Sequence, residues 1–267
     1  MLSCSALSRF CIFWTLWAAL TTPYCLAQAP LGSNLDQIQD YSPQLPFRDL
    51  FLSSREWFTQ CDPERDPGCT NSNAFNTEES SLLDLDASGW VRSLPTRAAA
   101  PIFTSAATFW HIDASFPMGR YIVLYQGEGS IEYGLAARKL SSQSRSGRDV
   151  VEIDPARGGI LLRITATDPQ QTGNYLRDMH FVSEADEPIF TTNRFSDLFL
   201  QRIQPFQALR FMDWLRTNNS SVSSWQDRAK VTDARFSTAR GVAPEVLIEL
   251  ANTTERNLLV SEIHQPH

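Results

Sequence analysis

Between residues 82 and 182, apolar and polar positions alternate with a period of two, and turn residues recur at short spacing. Strands are expected at 89–94, 102–112, 120–126, 130–133, 149–153, 159–167 and 175–182. In the third, Tyr121, Val123 and Tyr125 share one face while Ile122 and Leu124 share the other. In the sixth, Ile160, Leu162, Ile164 and Ala166 oppose Leu161, Arg163, Thr165 and Thr167. The Gly127-Glu128-Gly129 turn separates the third strand from the fourth. About seven short strands with such turns point to an antiparallel β-sandwich over 82–190. The preceding stretch, 28–81, is polar and reads as irregular, except for an apolar segment at 47–58 expected to dock on the sandwich.

Near residue 195 the pattern changes. Ser196 is placed to cap a short helix carrying Leu198, Phe199 and Ile203, which Pro205 limits. Residues 208–213 read as a short buried strand, and a polar loop follows to about 241. Pro244 suits the first turn of a helix with Val246, Leu247, Leu250 and Ala251 at helical spacing. Residues 257–263 read as another strand. Strand, helix, strand is one βαβ unit, with parallel pairing. Two parallel strands and one helix cannot close a core alone, so this unit is expected to lean on the sandwich or to open a longer structure, with exposed edges and low local stability.

The N-terminus changes the picture of where the chain works. Arg9 is the only charged residue of 1–27, an apolar stretch runs from Phe10 to about Leu20, and Cys25-Leu26-Ala27 ends in small residues. The stretch falls short of the roughly 20 apolar residues that span a bilayer. Residues 1–27 therefore read as a cleavable signal peptide, and the localisation as secreted or periplasmic. Pro23 and Tyr24 argue against a lipoprotein site at Cys25. Cleavage removes Cys4, Cys11 and Cys25 and leaves Cys61 and Cys69 around a turn-rich loop, so a disulfide is expected. No histidine lies near either cysteine, which weakens a metal reading.

Charge narrows the partners. The full chain has 23 basic and 30 acidic residues, a formal −7, and loss of Arg9 makes it −8. Lysine occurs only at Lys139 and Lys230, and no basic patch forms. Nucleic acid is excluded as a partner, as is a membrane after signal cleavage.

Several segments in one order carry a resemblance. They are Leu83-Asp84-Leu85-Asp86, Gly89-Trp90-Val91-Arg92-Ser93-Leu94-Pro95, Gly119-Arg120-Tyr121, Tyr125-Gln126-Gly127-Glu128-Gly129 and Ile131-Glu132-Tyr133. They continue through Gly147-Arg148-Asp149-Val150-Val151, the run from Gly158 to Asp168, the run from Leu209 to Asn218, and Ser224-Trp225 through Arg228. Together they resemble a family of secreted bacterial proteins described as cellulose-binding or glycosidase-like, in which an N-terminal β-sandwich precedes a TIM barrel. The resemblance covers most of 47–252 and departs after Asn252. It implies a mostly β chain, a sandwich followed at 191–267 by an incomplete (β/α) barrel start. The Asn-Glu acid/base pair of such barrels belongs to a later strand and finds no counterpart here. No catalytic residue is assigned, and no metal or cofactor is expected.

Glycoside hydrolysis uses two carboxylates, about 5–5.5 Å apart for retention and about 6.5–9.5 Å for inversion. Asp213 and Glu262 are the only acids on the two barrel-start strands, but strand-end acids also cap loops or bind arginine, and Arg210 and Arg216 are near. The residues expected to touch a polysaccharide or glycan are Asp213, Trp214, Trp225 and His264, the indoles because their faces stack on sugar C–H groups. Each tryptophan has packing as its plainer role. Tyr121, Tyr125 and Tyr133 are a platform or core, with core favoured. Asp84, Asp86 and Asp168 offer oxygens to calcium without an EF-hand pattern. Sequons at Asn218, Asn219 and Asn252 matter only in a eukaryotic secretory pathway. The chain therefore reads as an exported, carbohydrate-associated module without activity of its own. The alternative is an interaction or structural module of the cell envelope that needs no sugar.

Overall fold

The computed structural model describes residues 31–96, 100–218, 220–255 and 257–259. The expected signal peptide at 1–27, Glu262 and His264 lie outside the described residues. In chain order the strands are β1 (Gly32–Asn34), β2 (Phe58–Gln60), β3 (Asp84–Leu85), β4 (Val91–Ser93), β5 (Ser105–Trp110), β6 (Gly119–Gln126) and β7 (Gly129–Leu135). They continue with β8 (Ala137–Lys139), β9 (Arg148–Ile153), β10 (Ile160–Thr167), β11 (Arg177–Ser183), β12 (Ala208–Arg210) and β13 (Asn257–Leu259). The two α-helices are α1 (Asp197–Ile203) and α2 (Pro244–Thr254).

Two four-stranded antiparallel sheets, ordered β2-β5-β10-β7 and β11-β6-β9-β8, enclose one apolar core. The period-two pattern decides which side chains enter it. Tyr121 and Val123 of β6 and Ile160, Leu162 and Ile164 of β10 are buried there, facing Trp110, Val151, Ile153 and Phe181 from other strands. Ile122 points the other way and packs with Val150 and Val182 in a small outer cluster. Each such aliphatic side chain contributes about 1.5–3 kcal/mol by leaving water. The chain is thus mostly β with several antiparallel sheets, as its alternation predicts.

The segment 28–81 corrects the expectation of irregularity. Its β2 pairs antiparallel with β5 and becomes an edge strand of the sandwich. Its β1 pairs parallel with β12, Gly32 opposite Ala208. Three residues are too short to show an alternation, so neither strand is visible as a pattern. Strand β8 was likewise not expected; only Ala136 separates it from β7.

The later elements follow their end signals. Ser196 caps α1 by accepting the Phe199 N–H at 3.1 Å, and Pro244 opens α2. The parallel pairing of β12 with β13 is present, but β12 ends at Arg210, not at residue 213. With β1 on its other side, β12 is a central strand, which removes one of the two expected exposed edges. This layer has its own core: Leu35, Phe47, Phe199, Leu209, Trp214, Phe236 and Val246 are buried together.

Cys61 and Cys69 form the expected disulfide, with Cα atoms 5.9 Å apart. Inside the loop, Asp66 accepts the Asp62 N–H at 2.7 Å and the Thr104 hydroxyl, tying the loop to the segment before β5. The bridge closes a sequence separation of 8. Chain entropy then predicts that replacing both cysteines by serine lowers the unfolding free energy by about 2.5 kcal/mol, read from urea denaturation of the oxidised wild type and the double variant.

Candidate functional site

The turn leaving β12 separates the residues that the sequence placed together. Asp213 is half-buried in this turn, off the strand, and its carbonyl accepts the Arg216 N–H at 3.3 Å. The Arg216 guanidinium donates to Gln37. Trp214 is 0% exposed. Its ring lies 5.7 Å from Phe47, 6.0 Å from Phe199 and 5.5 Å from Phe211. Its carbonyl accepts the Val242 N–H at 2.8 Å. Gly241, at φ 69, lets the returning chain approach that carbonyl, where a Cβ would collide. The expectation that Trp214 stacks on a sugar is corrected by this burial: its faces are covered by phenylalanines.

Trp225 has the opposite environment. It opens a short 3-10 turn, Trp225–Asp227, and is 65% exposed. The Arg228 guanidinium lies over its ring at 4.0 Å and donates to Glu245 at 2.8 Å and to the Trp225 carbonyl at 3.2 Å. The hydrogen bond from Arg228 holds the Glu245 carboxyl below its ordinary value. The indole is therefore exposed yet held in place by a cation on one side.

The tyrosines take their packing role. Tyr121 is buried and donates to the Pro117 carbonyl at 2.8 Å, and Tyr133 donates to Asp149 at 2.9 Å. Asp84, Asp86 and Asp168 border one cleft, and each carboxylate is engaged by its neighbours: Asp84 meets Ser93 and Arg92, and Asp86 accepts the Tyr175 hydroxyl. Asp86 binds the Ser88 and Trp90 N–H groups, and Asp168 the Thr172 and Gly173 N–H groups. Among the described residues, no group of three or more metal-ligating side chains is assembled.

The structure instead assembles a cleft of about 270 Å³ between the sandwich and the parallel layer, lined by Asp49, Trp90, Asp178, His180, Arg194 and Asp233. Asp49 is buried and caps a 3-10 turn, accepting the Phe51 N–H at 3.0 Å. It also accepts the Phe181 N–H at 2.9 Å and sits 2.7 Å from His180 Nδ1. Burial opposes protonation of His180, but the hydrogen bond and charge of Asp49, with the charge of Asp178, outweigh it and raise its pKa. Two other charged wall groups are committed, Arg194 to Glu249 at 2.8 Å and Asp233 to Arg240 at 3.2 Å, while Asp178 adds its charge beside His180. A carboxylate-oriented imidazole in a cleft can exchange a proton with a ligand through its second nitrogen. Asp49 and His180 are 131 residues apart, so no local spacing could have paired them.

No protein-family model, curated protein or solved structure matches the chain.

Two outcomes follow from these contacts. Trp214→Ala empties a closed aromatic site and should cost about 3–5 kcal/mol of stability, measured by urea denaturation. For His180, the folded pKa lies above the unfolded value of about 6.5. Its ionic contribution is therefore complete below that pH and declines as pH rises through the folded pKa. The stability difference between wild type and His180→Gln should thus be larger near about pH 5 than near about pH 9; a difference that grows with pH would contradict the assignment.

Proposed function

We propose that the protein is an exported, non-catalytic, carbohydrate-associated module that meets a polysaccharide or glycan through Trp225. The observation that carries this reading is the exposed indole, backed by Arg228 and Glu245 on a short turn after the parallel strand β12. An apolar ring face held at a wet surface offers a sugar C–H contact at little ordering cost. The Cys61–Cys69 disulfide fits an oxidising compartment outside the cytoplasm, and no helix among the described residues is long and apolar enough to cross a membrane. The β1-β12-β13 layer, with α2 joining its last two strands, is read here as the start of a glycosidase-like (β/α) barrel. In the same reading Asp213, half-buried in the turn that carries Trp214, is a further candidate for glycan contact without a catalytic partner, and His264 is retained as a candidate from the sequence.

A glycan array and retention on insoluble polysaccharides test the proposal. Specific retention should fall about tenfold in Trp225→Ala, roughly 1.4 kcal/mol, with an unchanged melting temperature because the side chain is exposed. A blank array would favour the cell-envelope interaction module, and hydrolysis at an ordinary enzymatic rate would overturn the non-catalytic reading.

A further inference from the structure

The segment that follows the cleft residue Asp233 is stitched to the sandwich on both sides. Ala234 N–H donates to the Ser88 carbonyl and Phe236 N–H to the Leu52 carbonyl, each at 2.8 Å. Arg235 between them is 4% exposed. Its guanidinium sits 4.5 Å from the Trp57 ring and 5.5 Å from the Phe51 ring, and Nη1 donates to the Arg55 carbonyl at 2.6 Å. Nε and Nη2 have no acceptor among the described residues. These two nitrogens share one edge of the planar group, the fork that donates to both oxygens of a carboxylate.

Burial of a cation without a counter-ion is unfavourable. Burial pulls the Arg235 pKa down to about 9 while the charge of Glu56 opposes this, so the side chain remains charged at neutral pH. Arg235 borders a cavity of about 300 Å³ shared with Trp57, Glu56, Ser88, Thr238 and Arg240. Arg240 is already paired with Asp233, and Glu56 is exposed, so neither cancels the charge on the open fork. One residue lining the cavity therefore carries an unpaired guanidinium edge, and serine, threonine and tryptophan side chains line it too, in a chain whose net charge is negative.

We propose that this cavity binds a carboxylate-bearing saccharide, its carboxylate paired with Nε and Nη2 of Arg235. The carboxylate rests on the open fork alone; the saccharide rests on the carbohydrate reading above. Both nitrogens are sealed from bulk water, so the ligand reaches them by displacing part of the wall. Glu56 lines the same cavity, and its negative charge opposes an incoming carboxylate.

Isothermal titration of the disulfide-intact protein with glucuronate, glucose and acetate tests this. Glucuronate should bind saturably, with glucose and acetate at least tenfold weaker, and Arg235→Lys should weaken glucuronate at least tenfold because a point cation cannot form the fork. Glu56→Gln should tighten it by removing that like-charge repulsion. If Arg235→Lys does not fold, Glu56→Gln and Thr238→Val decide, the latter by a loss of threefold or more. No glucuronate binding to wild type and Glu56→Gln, or equal affinity in Arg235→Lys, would overturn the site; acetate binding as tightly as glucuronate would overturn the saccharide. Polysaccharide retention without glucuronate binding would overturn this inference and leave the Trp225 reading standing. Glucuronate binding with a blank array would support it and overturn that reading.

Discussion

The structure depends on one buried stretch of chain, residues 46–54, which belongs to two cores at once. Phe47 and Leu52 enter the core of the parallel layer, while Leu50 and Phe51 enter the sandwich core. A backbone held between two apolar bodies must place its charged side chains somewhere, and each has partners. Arg48 meets Asp186 and Asp197. Asp49 takes the Phe51 and Phe181 N–H groups and faces His180. Burying two ions is tolerable only with such partners. Removing Asp186 would leave Arg48 short of a counter-ion in the seam, and removing the Asp49 carboxylate would leave the Phe51 and Phe181 N–H groups without their acceptor.

That seam also explains where the polar cavities are. Two cores that pack independently meet without interdigitating fully, and the gaps between them collect polar side chains from both. The Asp49–His180 cleft and the Arg235 cavity both lie against residues 233–240, the stretch that leaves the loop of the parallel layer and binds the backbone of the sandwich. The same geometry sorts the two tryptophans. Trp214 follows β12 directly and is drawn into the aromatic cluster around Phe47. Trp225 lies farther along the loop, where no core reaches it and Arg228 is its neighbour.

Much of the sandwich is legible in the sequence. Strands such as β6 and β10 are long enough for alternation to name the buried face residue by residue, and Cys61 and Cys69 are near enough in sequence to announce their bond. The caps of α1 and α2 were legible for the same reason: Ser196 and Pro244 act within one helical turn of themselves. Strands β1, β2 and β8 were not, because three residues carry no period. The candidate site was the least legible part. Of the residues chosen for it, Trp214 proved to be core, Trp225 surface, and Asp213 part of a turn. His180 and Arg235 stood in unremarkable local contexts, and only partners far along the chain give them meaning.

By itself, the sequence determined the local features: which face of each long strand is apolar, where the helices start, and which sulfurs meet. These depend on interactions between residues a few positions apart, so the pattern encodes them. Tertiary structure alone decided that the polar N-terminal segment supplies one strand to the parallel sheet and one to a sheet of the sandwich, that Phe47 and Phe51 join two cores, and that Arg235 enters the sandwich with one edge unpaired. Each of those is a contact between residues brought together by burial of apolar surface, which is non-directional. Composition therefore says that such contacts will form, and the packing decides between which residues.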